Sequence, residues 1–122
     1  MPDTPAAAPK FIYKIVPASL WREAERIGRL DGAPVDLADG FIHFSTAEQV
    51  RETGGKHFSG QDDLLLVTVD TNLLHDALVY EPSRGGALFP HLYAPLPLEA
   101  VSSVEPLPMN PDGSHVYPKS IA

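Results

Sequence analysis

The segment Phe89-Pro90-His91-Leu92-Tyr93 and the loop before it carry side chains suited to proton transfer. In an extended chain, His91 and Tyr93 are two positions apart and therefore lie on the same face. Glu81 and Arg84 precede them beside a glycine pair, where backbone can approach a ligand closely. An imidazole, a carboxylate, a guanidinium and a phenol in one cleft suit acid–base chemistry or phosphate recognition. A solvated hairpin with Glu81 and Arg84 paired on its surface is the simpler alternative.

His43 is the second candidate, in the segment Phe41-Ile42-His43-Phe44. Its apolar neighbours predict a strand that is at least half buried. Ser45 and Thr46 follow at a predicted helix start, where unpaired N–H groups and the helix dipole suit an anionic or ribose-like group. The alternative is that Ser45 and Thr46 only cap the helix and that His43 bonds a carbonyl in the core.

Composition and spacing exclude several kinds of chemistry. The 122 residues include no cysteine, which excludes disulfides, thiolate metal sites and cysteine nucleophiles. The five histidines show no chelating spacing, so we predict no metal site. No local motif supports a serine hydrolase, a Rossmann dinucleotide site or a P-loop.

Charge and hydropathy bear on partners and location. Nine basic residues against sixteen acidic ones give a formal net charge of −7, which argues against duplex nucleic acid as a partner. We find no secretory signal and no apolar run of membrane-spanning length, so we expect no membrane partner and a cytoplasmic protein. Prolines, 13 in all, cluster at both ends. We therefore predict a loosely held leader (1–9), one domain (10–107) and a tail (108–122).

The first half of the chain predicts a strand and two helices. Residues 11–16 are β-branched and aromatic, which indicates a strand, and an amphipathic helix follows from Pro17 to a stop at Gly28. A loop then leads to a short strand over 41–45. Capping-box spacings at Ser45 and Thr46 predict a helix over 46–58. Gly54-Gly55 weakens its second half, so either that helix ends early or something packs closely there.

The second half predicts several strands, with a turn or a single helical turn over 70–77. Residues 64–69 are almost continuously apolar and indicate a central strand covered on both faces. A second strand is expected over 78–81 and a last one within 98–107. Between these two, Pro90 and Pro95 predict that 88–96 forms an edge or bulged strand. The fold class is therefore α+β, a small mixed sheet with two helices in the N-terminal half.

Several of these segments resemble the family called domain of unknown function 952. They are Ile12-Tyr13-Lys14-Ile15, Trp21, Asp36, Asp39-Gly40-Phe41-Ile42-His43-Phe44-Ser45-Thr46 with Gln49, Glu81, and Phe89-Pro90-His91-Leu92-Tyr93. The match runs in order over about residues 11–107. That family implies a fold and carries no established activity.

Its fold is similar to that of the ADP-ribosyltransferases, among them RNA 2′-phosphotransferases and rifampicin-modifying enzymes. Their first strand has a Tyr-His motif, a helix ending at glycine follows, and a His-Leu-Ser-Thr strand enters the next helix. This resemblance implies that the ligand-binding residues include Tyr13, Lys14, His43, Ser45 and Thr46, and it makes Glu81 and His91 the catalytic candidates. The cleft argued above from residue types adds Arg84 and Tyr93 to the ligand-binding residues. Lys14 replaces the histidine that holds the NAD ribose, which implies weak NAD binding.

Three functions follow from these patterns. The first is a domain that binds a small nucleotide-like or anionic ligand without turnover. The second is an active or degenerate ADP-ribosyl-transferring enzyme that uses NAD, with Glu81 stabilising the ribose cation and Arg84 holding the pyrophosphate. The third is a structural or partner-binding protein with 89–93 as its interface edge. A small-molecule ligand is expected, NAD is the one cofactor suggested, and no protein partner is identified.

Overall fold

β4 (Leu64–Asp70) is the middle strand of a three-stranded antiparallel sheet in the computed structural model, which describes residues 9–83 and 86–121. Its neighbours are β1 (Phe11–Pro17) and β8 (Val101–Pro106). The apolar run of β4 fits this position because side chains on both of its faces are buried. The predicted strands at 11–16 and 64–69 are confirmed.

β6 (Leu88–Leu92) is the middle strand of a second antiparallel sheet, between β3 (Ile42–His43) and β5 (Leu78–Pro82). The prediction of an edge or bulged strand over 88–96 is wrong: β6 ends at Leu92, is paired on both sides and has no register shift. The position of Pro90 explains why it is not an edge. The Pro90 C=O accepts from Phe44 N–H at 3.0 Å, so its backbone faces β3. The N–H that proline lacks would have served only this last pair of the β3–β6 ladder.

Three α-helices accompany the sheets within the described residues, one more than predicted. α1 (Ala18–Ile27) follows Pro17 and ends at Gly28, whose φ of 89° is left-handed, as glycine permits. Trp21 and Ala24 point into the core. α2 (Pro34–Asp39) lies in the segment predicted as a loop, after the short β2 (Arg29–Leu30), which pairs with β7 (Leu96–Pro97).

α3 (Val50–His57) begins later than the predicted start at residue 46, after a turn in which Gln49 Oε1 accepts from Thr46 N–H at 3.0 Å. It continues through the glycine pair because the tail packs on it. The Tyr117 hydroxyl lies directly over Gly54, where a Cβ would overlap it. The tail is thus packed, not loosely held: His115 and Ile121 are buried.

The two larger sheets meet at one residue pair. Tyr13 of β1 and Ser45, just after β3, exchange two backbone hydrogen bonds of 2.8 Å. Beyond this bridge β1 and β3 diverge. The α+β class is confirmed; the described strand pairs are all antiparallel, so the prediction of a mixed sheet is wrong. None of the helices described within 9–83 and 86–121 is long and apolar enough to cross a membrane.

Candidate functional site

A cavity of about 600 Å³ opens where β1 and β3 diverge. Its walls come from β1, the start of α2, β3 and the turn after it, α3, and β6. Apolar and aromatic side chains form much of the lining, including Phe44, Phe58 and Phe89. Concave, mainly apolar sites with a few polar groups are where proteins hold small ligands.

A buried ion pair lies in the wall of this cavity. Lys14 Nζ is 3.0 Å from Asp36 Oδ2, and both side chains are almost completely buried. Lys14 also donates to the His43 C=O at 2.9 Å. Asp36 accepts from the N–H of Ala33 at 2.7 Å and from the N–H of His43 at 3.1 Å. The pair therefore ties β1, α2 and β3 together.

Burial and charge act in opposite directions on these two groups. Burial lowers the pKa of the Lys14 ammonium below its ordinary value, although the facing Asp36 carboxylate opposes this. Burial alone raises the pKa of Asp36. Lys14, His43 and the Ala33 N–H together outweigh burial, so the Asp36 pKa lies below its ordinary value and the group is ionised at neutral pH.

His43 is held between two carboxylates. Its Nδ1 is 2.6 Å from Asp36 Oδ1, and its Nε2 is 2.9 Å from Asp39 Oδ2. The Phe41 ring stacks on His91 with centroids 4.1 Å apart and contacts the His43 ring at 4.6 Å. With both nitrogens engaged, His43 is oriented by the protein.

Of the two ring nitrogens of His91, the described residues engage only Nδ1. His91 lies opposite His43 in the β3–β6 register, with ring centroids 5.5 Å apart. Its Nδ1 is 2.7 Å from Glu81 Oε1, and the Tyr93 hydroxyl donates to the same oxygen at 2.6 Å. Hydrogen bonds from Tyr93 and His91 lower the pKa of Glu81, and the bond to Glu81 raises the pKa of Tyr93. Glu81 is therefore a carboxylate that fixes the His91 ring.

The structure brings most of the predicted site residues together. The cavity lining includes Tyr13, Lys14, His43, Ser45 and His91. Glu81 and Tyr93 lie behind or beside His91 and do not belong to that lining, nor does Thr46. Arg84 lies outside the described residues.

The predicted capping role of Ser45 is wrong. Its hydroxyl is 2.8 Å from the hydroxyl of Thr53, the fourth residue of α3. It does not bond a free N–H at the start of the helix. The reason is that α3 begins five residues after Ser45, which leaves Ser45 beside the cavity wall instead of at the cap. For Thr46, the capping contact is made by its backbone N–H to Gln49.

Asp36 and Asp39 were not predicted as site residues, although both belong to the family pattern. Both lie on α2, which periodicity could not detect in six residues. A usable signal was present: Pro34 at the first helical position and Asp36 two residues later are typical of a helix N-terminus. Among the described residues, no group of three or more His, Asp or Glu is placed to hold a metal ion.

The chain belongs to the family described as protein of unknown function DUF952, whose model matches residues 15–104. It is similar to the crystal structure of protein CC0527 from Caulobacter crescentus, with 44% identity over 91% of this chain and 97% of that one, at a TM-score of 0.87. The solution NMR structure of CC0527 is 46% identical over 87% and 91% of the two chains, at a TM-score of 0.78. No curated protein matches.

Proposed function

We propose that the cavity between β1 and β3 binds a small nucleotide-like ligand with a flat unsaturated ring. The observation that carries this proposal is His91. Its side chain is 7% exposed, it lines the cavity, and its Nδ1 is engaged by Glu81. Its Nε2 makes no hydrogen bond to any described residue and is not fully buried, so it is accessible from the cavity to a ligand or to water.

The carboxylate of Glu81 determines what His91 offers. A carboxylate only accepts hydrogen bonds, so Nδ1 carries the proton and Nε2 of the neutral ring is an acceptor. A ligand hydroxyl, amide or amino group can donate to it. Nucleosides supply such donors on both sugar and base.

The charges of the protein favour an uncharged part of the ligand in the cavity over a free anion. Lys14 is neutralised by Asp36, and the whole chain carries −7. The aromatic lining instead favours a flat ring, since Phe44 and Phe89 offer apolar surface. We therefore place the base or sugar of a nucleotide-like ligand in the cavity and its phosphates, if present, toward solvent.

Calorimetry with adenosine, ADP-ribose and NAD tests this function. We expect binding in the high micromolar range, weakened about tenfold or more by His91→Phe, which keeps an aromatic ring against Phe41 but removes both nitrogens. Tyr93→Phe is the matched control. This substitution also deletes a hydrogen bond to Glu81, but Tyr93 lies outside the cavity lining. We therefore expect ligand affinity within about twofold of wild type.

Two outcomes contradict the proposal. One is the absence of binding by all three compounds to folded wild-type protein. The other is equal affinity of wild type and His91→Phe when both show the same melting behaviour.

ADP-ribosyl transfer is the second candidate, supported by the Glu81–His91 pair. In such a reaction the nicotinamide–ribose bond breaks, nicotinamide leaves with the electron pair, and an acceptor hydroxyl attacks the ribose while its proton passes to His91 Nε2. Binding without turnover has more support because Glu81, the carboxylate that would stabilise a ribose cation, does not belong to the cavity lining. Release of labelled nicotinamide from NAD by wild type, lost in His91→Phe, would reverse this order.

A further inference from the structure

The short helix α2 presents its apolar side chains to solvent. Val35 and Leu37 are 58% and 65% exposed, whereas Asp36 between them is buried. A surface helix usually has the opposite arrangement, with apolar side chains toward the core and charged ones outside. The buried ion pair of Asp36 with Lys14 holds α2 in this orientation, so that Leu37 projects from the surface.

Leu37 lines a second concavity of about 380 Å³, which we call the α2 groove. The lining also includes Phe41 and the exposed turn that follows β6, Tyr93-Ala94-Pro95. The rings of Phe41 and Tyr93 are 5.2 Å apart. The exposed apolar surfaces of α2 and of the turn therefore border the same groove, and contiguous apolar surface of this kind is typical of an interaction site.

Carboxylates border the α2 groove. Asp31 belongs to its lining, and no lysine or arginine does among the described residues. Asp39, the last residue of α2, is about half exposed. The Tyr93 hydroxyl donates to the Glu81 carboxylate, and the face of such a ring attracts cations. Arg29 pairs with Asp31 at 2.8 Å, but both side chains are about half exposed, so this pair contributes little and an incoming cation can share the carboxylate.

These charges distinguish the possible occupants of the groove. In a symmetric dimer the same surface faces itself, so the carboxylates of the two copies would approach each other, which disfavours association. An anionic membrane is disfavoured for the same reason, because the chain carries a formal net charge of −7. A basic segment of another protein complements both the charges and the apolar surface.

We infer that the α2 groove binds a segment of another protein in which basic residues flank apolar ones. An apolar side chain of this segment lies between Leu37 and Tyr93, and its basic side chains reach Asp31 and Asp39. Central apolar anchors with charged groups at the rim are the usual composition of a protein interface. The inference does not depend on the proposed function, because Asp36 is the only described residue that lines both the groove and the cavity.

An amide NMR titration with two synthetic peptides tests the inference. One peptide is acetyl-Arg-Leu-Leu-Arg-amide; in the other, citrulline replaces both arginines and keeps their length without the charge. We expect the arginine peptide to shift the amides of Gly40 and Ala94 more than those of Ile15 and His91 in the cavity. It should bind at least about tenfold more tightly than the citrulline peptide, and about 0.5 M NaCl should remove most of that difference.

Matched variants locate the site on the protein. Leu37→Ser should weaken binding of the arginine peptide about fivefold or more, because it removes an apolar wall of the groove. Leu73→Ser makes the same change at a side chain that is 46% exposed and lies outside the groove, so affinity should stay within about twofold of wild type. Asp31→Asn should weaken binding about threefold, whereas Asp76→Asn, also at an exposed carboxylate, should not.

Four outcomes contradict the inference. The first is no shift at Gly40 or Ala94 with about 5 mM arginine peptide, and the second is equal affinity for the two peptides. The third is a change in the amide shifts of the groove with protein concentration alone, lost in Leu37→Ser, which would make a second copy of the chain the occupant. The fourth is co-sedimentation of wild-type protein with phosphatidylglycerol vesicles, lost in the same variant, which would make the groove a membrane-binding surface.

Discussion

Asp36 serves four donors with two oxygens. Oδ2 receives Lys14 Nζ and the Ala33 N–H, while Oδ1 receives the backbone N–H and Nδ1 of His43. Such full hydrogen bonding is what makes a carboxylate at 2% exposure tolerable. It also means that removal of one donor leaves a charge that the others only partly compensate.

Lys14→Met is predicted to destabilise the protein by about 3–5 kcal/mol, because it leaves Asp36 buried without its counter-charge. Lys56→Met is the matched control, since Lys56 pairs with Glu52 at 3.5 Å on the exposed side of α3. The same chemical change there should alter stability by less than about 1 kcal/mol. Urea unfolding of both variants measures the difference; equal effects would show that the buried pair contributes little.

Among the elements, α3 depends on the tail for its shape. Tyr117 lies over Gly54, its ring is 5.2 Å from the Arg51 guanidinium, and Arg51 donates to the Ile121 C=O at 3.1 Å. Ile15 Cδ1 approaches the same glycine from β1, 3.3 Å from where a Cβ would lie. Gly54 is therefore a contact point between helix, sheet and tail.

The two adjacent glycines of α3 are predicted to respond with opposite sign to alanine. Gly54→Ala should destabilise by about 1–3 kcal/mol, because the new methyl displaces Tyr117. Gly55 is exposed, and nothing lies within 4 Å of the position that an alanine methyl would take, so Gly55→Ala should stabilise by up to about 1 kcal/mol through helix propensity. Thermal unfolding of the two variants measures the sign of each stability change. Stabilisation by both substitutions would contradict the close packing of Tyr117.

For the whole molecule, the depressed pKa values of Asp36 and Glu81 predict loss of stability in acid. Both carboxylates bind protons less readily in the folded than in the unfolded chain, so their contribution is complete above the ordinary carboxyl pKa of about 4. It declines as pH falls through the lower folded-state values. Melting temperature measured from pH 7 to pH 2.5 should drop below about pH 4, and Asp36→Asn should flatten that drop.

Local sequence patterns predicted those elements whose structure is determined by their own residues. β1, β4, β5 and α1 follow from β-branched runs and a 3.6-residue period. β6 was misplaced because Pro90 is a local signal for an edge, whereas one of its two neighbours, β3, belongs to a distant part of the chain. α2 was missed because six residues are too few to show a period.

The same division holds for the site. Residue type and alternation were enough to select His43, Glu81, His91 and Tyr93. In the structure His91 contacts His43 and Glu81, and Tyr93 contacts Glu81. The cavity between β1 and β3 could not be predicted, because it depends on where β3 leaves β1. That divergence depends in turn on a pair, Lys14 and Asp36, joined across 22 positions of sequence.

The packing of Ile121 against the cluster that contains Tyr13, Ile15, Leu64 and Leu107 has a consequence for the order of folding during synthesis. β1 leaves the ribosome before its partner β4, which follows some 50 residues later, and the residues that cover α3 emerge later still. Translation proceeds at about 5–20 residues per second, so β1 waits seconds for its partner. During that interval its apolar side chains are open to chaperones, and the last layer of the domain closes only after residue 121 has emerged.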